Sequence, residues 1–365
     1  MKTLSLKKII AVGIALAGLA LTQNVRADVE VLVDGGNASS SVLFNRATNI
    51  FNNGSSISNV FGASSASIRT YKGTSTNALL SSLGLITLDF NLSGAVGGLQ
   101  DIAGQIPEPT AAGSNLPPTV VDSSTSPDAV SIDPTLFTAL ETYIVPYAFV
   151  KNTNSTDTAG ITNLTQRQAA YLEGAGKSTA TFLGGSGAGT NVVYFVGRNT
   201  QAAVRTEIDL NIFATGFQTY TTNNNQIVLD NYRTNTSGAY DPGEATGSAV
   251  VAVLGFITNG IGTVAIQNVK KPVAALSYEG VTYSAANVQN GTYPLWNPEY
   301  YYYLKSTVTG TPDASKLAVI TALYQSVTNA TFQVDPVYTN NFIPYTSLNV
   351  TRGFDGGPIS PKPGF

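Results

Sequence analysis

Two stretches of this chain share one design. "VEVLVDGGNASSSVLFNRATNIF" and "LITLDFNLSGAVGGLQDIA" each run from an apolar strand, through a turn of Gly, Ser and Asn, directly into a helix. Strands that alternate with helices indicate an α/β fold. The first strand covers 29–33 and its helix runs from about Ala38 to Phe51. Asn37 or Ser39 caps that helix, and Val42, Leu43, Ala47 and Ile50 form its buried stripe. In the second stretch Ser93 either caps a tight strand-to-helix turn or adds a hydroxyl to an anion site. Gly94 and Ala95 leave the backbone bare, and a helix N-terminus offers unpaired N–H groups and a partial positive charge. Two such turns after two strands converge on one crevice at the carboxyl edge of a sheet.

The length of 365 residues allows two domains or one large one, and the alternation continues. A hairpin through "YKGTSTN" is expected in 54–86, and a Pro-rich loop at 107–119. "ITNLTQRQAAYLEGAG" has capping-box spacing at Thr165 and Gln168, with Gly174 to end the helix. "NVVYFVG" is a strand, "RNTQAAVRTEIDLNIF" a turn and helix, "GSAVVAVLGF" a buried helix and "SKLAVITALYQSVTN" the last helix. The tail "DGGPISPKPGF" reads as an irregular surface segment. Two strands carry proline, "YIVPYAFVKN" and "YPLWNPEYYYYLK". A proline inside a strand predicts an edge or a crossing segment.

The composition excludes much chemistry. The chain has no Cys and no His, so disulfides, thiol chemistry and His-based triads are out, as are most transition-metal sites. Charged residues are only 11%, well below the usual share of a soluble protein. "MKTLSLKK", "IIAVGIALAGLAL" and "VRA" have the order of a secretory signal peptide cleaved near Ala27, leaving Asp28 first and no stable membrane anchor. Lys2, Lys7, Lys8 and Arg26 leave with it and no acid does, so the net charge becomes more negative than −3. No basic cluster remains for nucleic acid. "GGSGAGT" at 184–190 lacks the Lys-Ser/Thr ending of a phosphate loop and reads as a loop. Asp241 and Glu244 form either a carboxylate pair or an ordinary exposed loop. No enzyme, cofactor or metal is expected. Arg198 and Arg205 flank a helix start, where either suits bidentate pairing with an anion.

The order of pieces resembles the phosphate-type periplasmic substrate-binding proteins of ABC transporters. The residues that carry the resemblance are "LDFNLSGAVGGLQDIA", "ITNLTQRQAAYLEG" and "VAALSYEGVTYSAANVQNGTYPLWNPEYYYYLK". The resemblance implies a two-lobed Venus-flytrap fold of the periplasmic-binding-protein type, joined by two crossing strands, which would be the two Pro-marked ones. Lobe one is then 28–143 with 305–365, and lobe two is 144–304. The implied partners are a small anion, phosphate by default, and an ABC transporter permease. The implied ligand-binding residues are Asn37, Ala38 and Ser39 from the first turn and Ser93, Gly94 and Ala95 from the second. Asp122 in "VVDSST" and Arg198 complete them, with Arg205 as a possible substitute donor.

After that arginine the chain departs from the family pattern. Asn199 stands for an acid, and Gln201, Ala202, Ala203 and Val204 stand where Gly, Ser, Gly and Thr are expected. Two hydroxyl donors are missing. At about 1.5–3 kcal/mol each, their loss weakens binding by on the order of 10²-fold or more. The rival expectation is a secreted binding or structural protein that kept this fold and lost the anion site.

Overall fold

The computed structural model describes residues 28–36, 40–52, 54–62, 67–92, 94–185, 191–234, 238–329, 338 and 341–363. Its centre is a sheet of twelve strands among the described residues. In chain order these are β1 (Val29–Gly35), β2 (Ile57–Phe61), β3 (Ile68–Gly73), β4 (Ile86–Asn91), β5 (Val120–Ser123) and β6 (Phe137–Asn152). Then come β7 (Lys177–Thr179), β8 (Val192–Val196), β9 (Gly260–Ala265), β10 (Val273–Ala275), β11 (Trp296–Leu304) and β12 (Ile343–Pro344). The spatial order is β7-β8-β9-β6-β11-β5-β1-β4-β3-β2, with β10 and β12 also paired to β6.

β6 belongs to both halves of this sheet. Its residues 137–146 pair with β11, and 147–151 pair with β9. The change of partner falls at Pro146, opposite Trp296, where a residue without an N–H interrupts the ladder; the next amide, Tyr147, donates to Leu295 O. β11 in turn pairs β5 through Tyr300–Tyr302. The two Pro-marked strands are therefore the crossing segments.

The helices are α1 (Ser40–Ile50), α2 (Ala95–Gly104), α3 (Gln166–Ala175), α4 (Ala203–Ile212), α5 (Gly247–Phe256), α6 (Ala285–Gln289) and α7 (Ala314–Thr328). α1 buries Val42, Leu43, Phe44, Ala47 and Ile50, and packs against α7. α2 covers the opposite face, placing Leu99 and Ile102 with Val121, Phe137 and Tyr302. In the other half α5 sets Val250 and Leu254 against Ala148, Val150 and Val264. Burying apolar area on both sheet faces is the main stabilising term for such a layered fold. β1 runs parallel to β4 and β5, and β8 parallel to β9.

Several local expectations need correction. "YKGTSTN" is not the tip of a hairpin: Tyr71–Gly73 end β3, and the connection to antiparallel β4 runs on through 74–85. The capping box at Thr165 and Gln168 is present, but α3 ends at Gly176, which takes the left-handed conformation (φ 68°), rather than at Gly174. The tail is not a plain surface segment. Val350–Arg352 pairs with Ile359–Pro361, and between them Asp355 is buried and accepts from Ser126 N and Oγ and from Asn297 Nδ2.

Candidate functional site

The carboxyl ends of β1, β4 and β5 lie side by side, as their parallel registers require. Each leads to a small or polar residue: Gly36, Gly94 and Ser124. From the other half, β8 ends at Val196 and leads through Arg198 to α4. A cavity of about 20 Å³ lies where these ends meet. Gly36, Ala95, Arg198 and Ala203 line it, together with Ser124, Tyr147 and Glu299. Ala95 and Ala203 are the first residues of α2 and α4, so two helix N-termini and one guanidinium face the same space. That combination concentrates positive potential.

Arg198 is held rather than free to swing. Its Nε donates to Glu244 O at 3.0 Å and one terminal nitrogen to Ala245 O at 2.8 Å. Burial lowers its pKa to about 10, which leaves it charged at neutral pH. The opposite wall is acidic. Glu299 is 1% exposed, and its pKa is pushed well up by burial and then by the neighbouring acid Asp122. Tyr147 Oη donates to Ser124 Oγ at 2.7 Å on the same wall.

The expected site residues divide into three groups. Asn37, Ala38, Ser39 and Ser93 lie outside the described residues. Ala95 and Arg198 line the cavity. Gly94, Asp122 and Arg205 are not among its described lining residues. Gly94 sits beneath Gln201: a Cβ there would come within 2.6 Å of Gln201 O, which accepts from Val96 N at 3.2 Å. Asp122 on β5 is fully buried behind the wall, against Glu299. Arg205 turns away from the cavity. Its guanidinium stacks 3.4 Å from the centre of the Phe217 ring and pairs with Asp209 at 3.6 Å.

Asp241 and Glu244 are neither an exposed loop nor a catalytic pair. Both are buried and engaged: Asp241 accepts Thr200 N, and Glu244 pairs with Arg233 at 2.8 Å and accepts Thr221 Oγ1. Sequence reasoning missed Glu299, Tyr147 and Ser124. Glu299 carried a usable signal, as an acid inside an otherwise uncharged aromatic strand marked for burial. A larger groove of about 140 Å³ runs beside the tail, lined by two acids, Asp128 and Asp355, and one cation, Arg352.

No protein-family model and no curated protein sequence matches the chain. Solved structures do. One from Clostridium perfringens, described as a phosphate ABC transporter substrate-binding protein with bound phosphate, aligns with a TM-score of 0.55 and 13% identity, over 87% of this chain and 99% of that one. An ABC-type phosphate transport receptor from Vibrio cholerae aligns with a TM-score of 0.50 and 13% identity, over 86% and 99%. The fold is that of the two-lobed periplasmic binding proteins. The cavity lies where the two halves of the central sheet meet. No helix among the described residues is long and apolar enough to cross a membrane.

Proposed function

We propose that the chain is an extracytoplasmic solute-binding protein that captures phosphate or a similar small oxyanion for an ABC transporter permease. The observation that carries this reading is the convergence of the α2 and α4 N-termini with the buried Arg198 on one cavity between the lobes. Likeness to the phosphate-binding structures supports it at the level of the fold. The division into lobes at 143/144 and 304/305 is part of the same reading, supported by the partner change of β6 at Pro146.

The cavity has room for about one water molecule. An oxyanion therefore needs the lobes to part, releasing Val96 N from Gln201 O so that the α2 N-terminus faces the ligand. No covalent chemistry is required. Specificity comes from fixed donors and from the cost of leaving them unpaired.

A second reading has its own support: a secreted binding or structural protein that kept the fold and gave up the anion site. Gln201 O already satisfies an α2 amide, and Ala202, Ala203 and Val204 present no hydroxyl to the cavity. Thermal unfolding of the purified protein, freed of carried-over ligand, separates the two. Phosphate or sulfate at about 100 times its dissociation constant stabilises an anion-binding protein by roughly 2.7 kcal/mol. A shift with either anion that Arg198→Ala abolishes supports capture. No shift with any small oxyanion supports the second reading.

A further inference from the structure

The groove of about 140 Å³ beside the tail holds polar atoms that the fold leaves unused. Asn297 of β11, Arg352 of the tail and Asp128, beyond the end of β5, line it. None of its described lining residues is shared with the cavity at Arg198.

Asn297 is 1% exposed. Its Nδ2 donates to Ser124 O at 2.5 Å and to Asp355 Oδ1 at 2.7 Å, while its buried Oδ1 accepts from no group among the described residues. Arg352 spends its terminal nitrogens on Asn211 Oδ1 at 3.1 Å and Pro294 O at 2.6 Å, while its buried Nε donates to none. An acceptor and a donor left open in one groove each cost free energy until a guest supplies the missing partner.

The charges narrow the choice of guest. Asp355 is already satisfied by Ser126 N, Ser126 Oγ and Asn297 Nδ2. Asp128 is exposed, and its carboxylate meets no cation or donor among the described residues. A lone cation in the groove would face Arg352, and a lone anion would face Asp128 and Asp355. A molecule carrying both charges suits both walls. An apolar cavity of about 150 Å³ holds benzene, so this groove has room for about six heavy atoms. Tyr300, Tyr302 and Phe354 supply surface for a short carbon chain.

We infer that this groove is a second binding site, for a small zwitterion of the amino-acid class. The carboxylate of the guest accepts from Arg352 Nε, and its ammonium donates to Asn297 Oδ1 and to Asp128. No covalent step is involved. The site does not depend on the anion-binding reading above.

The test is calorimetric titration of the full protein with glycine, L-alanine, β-alanine and 4-aminobutyrate, with acetate and ethylammonium as single-charge controls. At least one of the four zwitterions is expected to bind at least about tenfold more tightly than either control. Asp128→Asn, at an exposed position, should weaken that zwitterion at least about tenfold and leave the melting temperature nearly unchanged. A saturating concentration of sulfate should not displace it. No binding of any zwitterion up to about 50 mM would mean that water alone fills the groove, and overturns the inference. So does affinity no better than that of the controls, affinity undiminished by Asp128→Asn, or displacement by sulfate. Sulfate and phosphate titrated alone report on the other cavity, so the two readings stand or fall separately.

Discussion

The carbonyl of Gln201 accepts the amide of Val96 at 3.2 Å, and this backbone bond ties the start of α2 to the turn before α4 beside the cavity. Gln201 stands just before α4, and Val96 is the second residue of α2. Its side chain also lies against the glycines of α2, since a Cβ on Gly97 would meet Gln201 Oε1 at 2.6 Å. The bond occupies an amide of the kind a bound oxyanion would use.

Gly94 is what permits this approach. Gly94→Ala puts a Cβ within 2.6 Å of Gln201 O, and backbone cannot step aside cheaply. The variant is expected to lose about 1–3 kcal/mol of stability, the usual scale of overpacking, and to favour parted lobes. Urea unfolding measures the first effect, and an increased radius of gyration in small-angle scattering the second. Unchanged values on both counts would show that the contact is not made in solution.

Arg198→Lys retains the charge but cannot span the carbonyls of Glu244 and Ala245 with a rigid fork. Phosphate affinity should fall at least about tenfold, while the melting temperature without anion changes far less. Equal affinity in the two proteins would mean that the cavity uses only net charge.

Arg352 joins the tail to the start of β11 and to the end of α4. It stacks 4.7 Å over Trp296 and bonds Asn211 and Pro294, close to Glu207 and Asp355. Arg352→Ala strips the cation from two buried acids and is expected to destabilise the protein by about 3–5 kcal/mol. Arg352→Met, which fills the space, should not restore it. A denaturation midpoint close to wild type for both variants would refute the clasp.

Stability should decline as pH rises. Burial raises Asp89 and Asp101 to about 6, and burial with acidic neighbours raises Asp34, Glu173, Glu207 and Glu299. In the unfolded chain these groups titrate near 4. Between about pH 4 and 6 the folded state holds more protons than the unfolded one, so stability is full below that interval and falls through it. Urea midpoints measured across it should fall steadily, and Asp89→Asn should flatten part of the slope. A midpoint rising toward neutrality would contradict the assignment.

The elements were legible where local physics decides them. The buried stripe of α1, the capping box of α3 and the two proline-bearing crossing strands follow from spacing and from a missing N–H. The end of α3 was misplaced because two glycines lie within reach and only Gly176 takes the left-handed turn. The site was only half legible. Arg198 and Ala95 stand beside their turn motifs, whereas Glu299 reaches the cavity from a strand over 170 residues away from α2, and only β5–β11 pairing brings it near Asp122. Arg205 looked equivalent to Arg198 in sequence, but α4 carries it round to Phe217. The tail depended on Asp355 finding Ser126 and Asn297, and no local pattern encodes a partner 229 residues away.

β11 lies between β5 and β6 in the sheet, yet it is made more than 140 residues after β6. A growing chain must therefore complete β7 to β10 before β5 and β6 gain the strand that lies between them. Until Trp296–Leu304 arrives, the facing edges of β5 and β6 lack their neighbour, an open template for pairing with another chain. During synthesis the part of the sheet that begins first is the last to be enclosed, and that interval is when a holdase has most to protect.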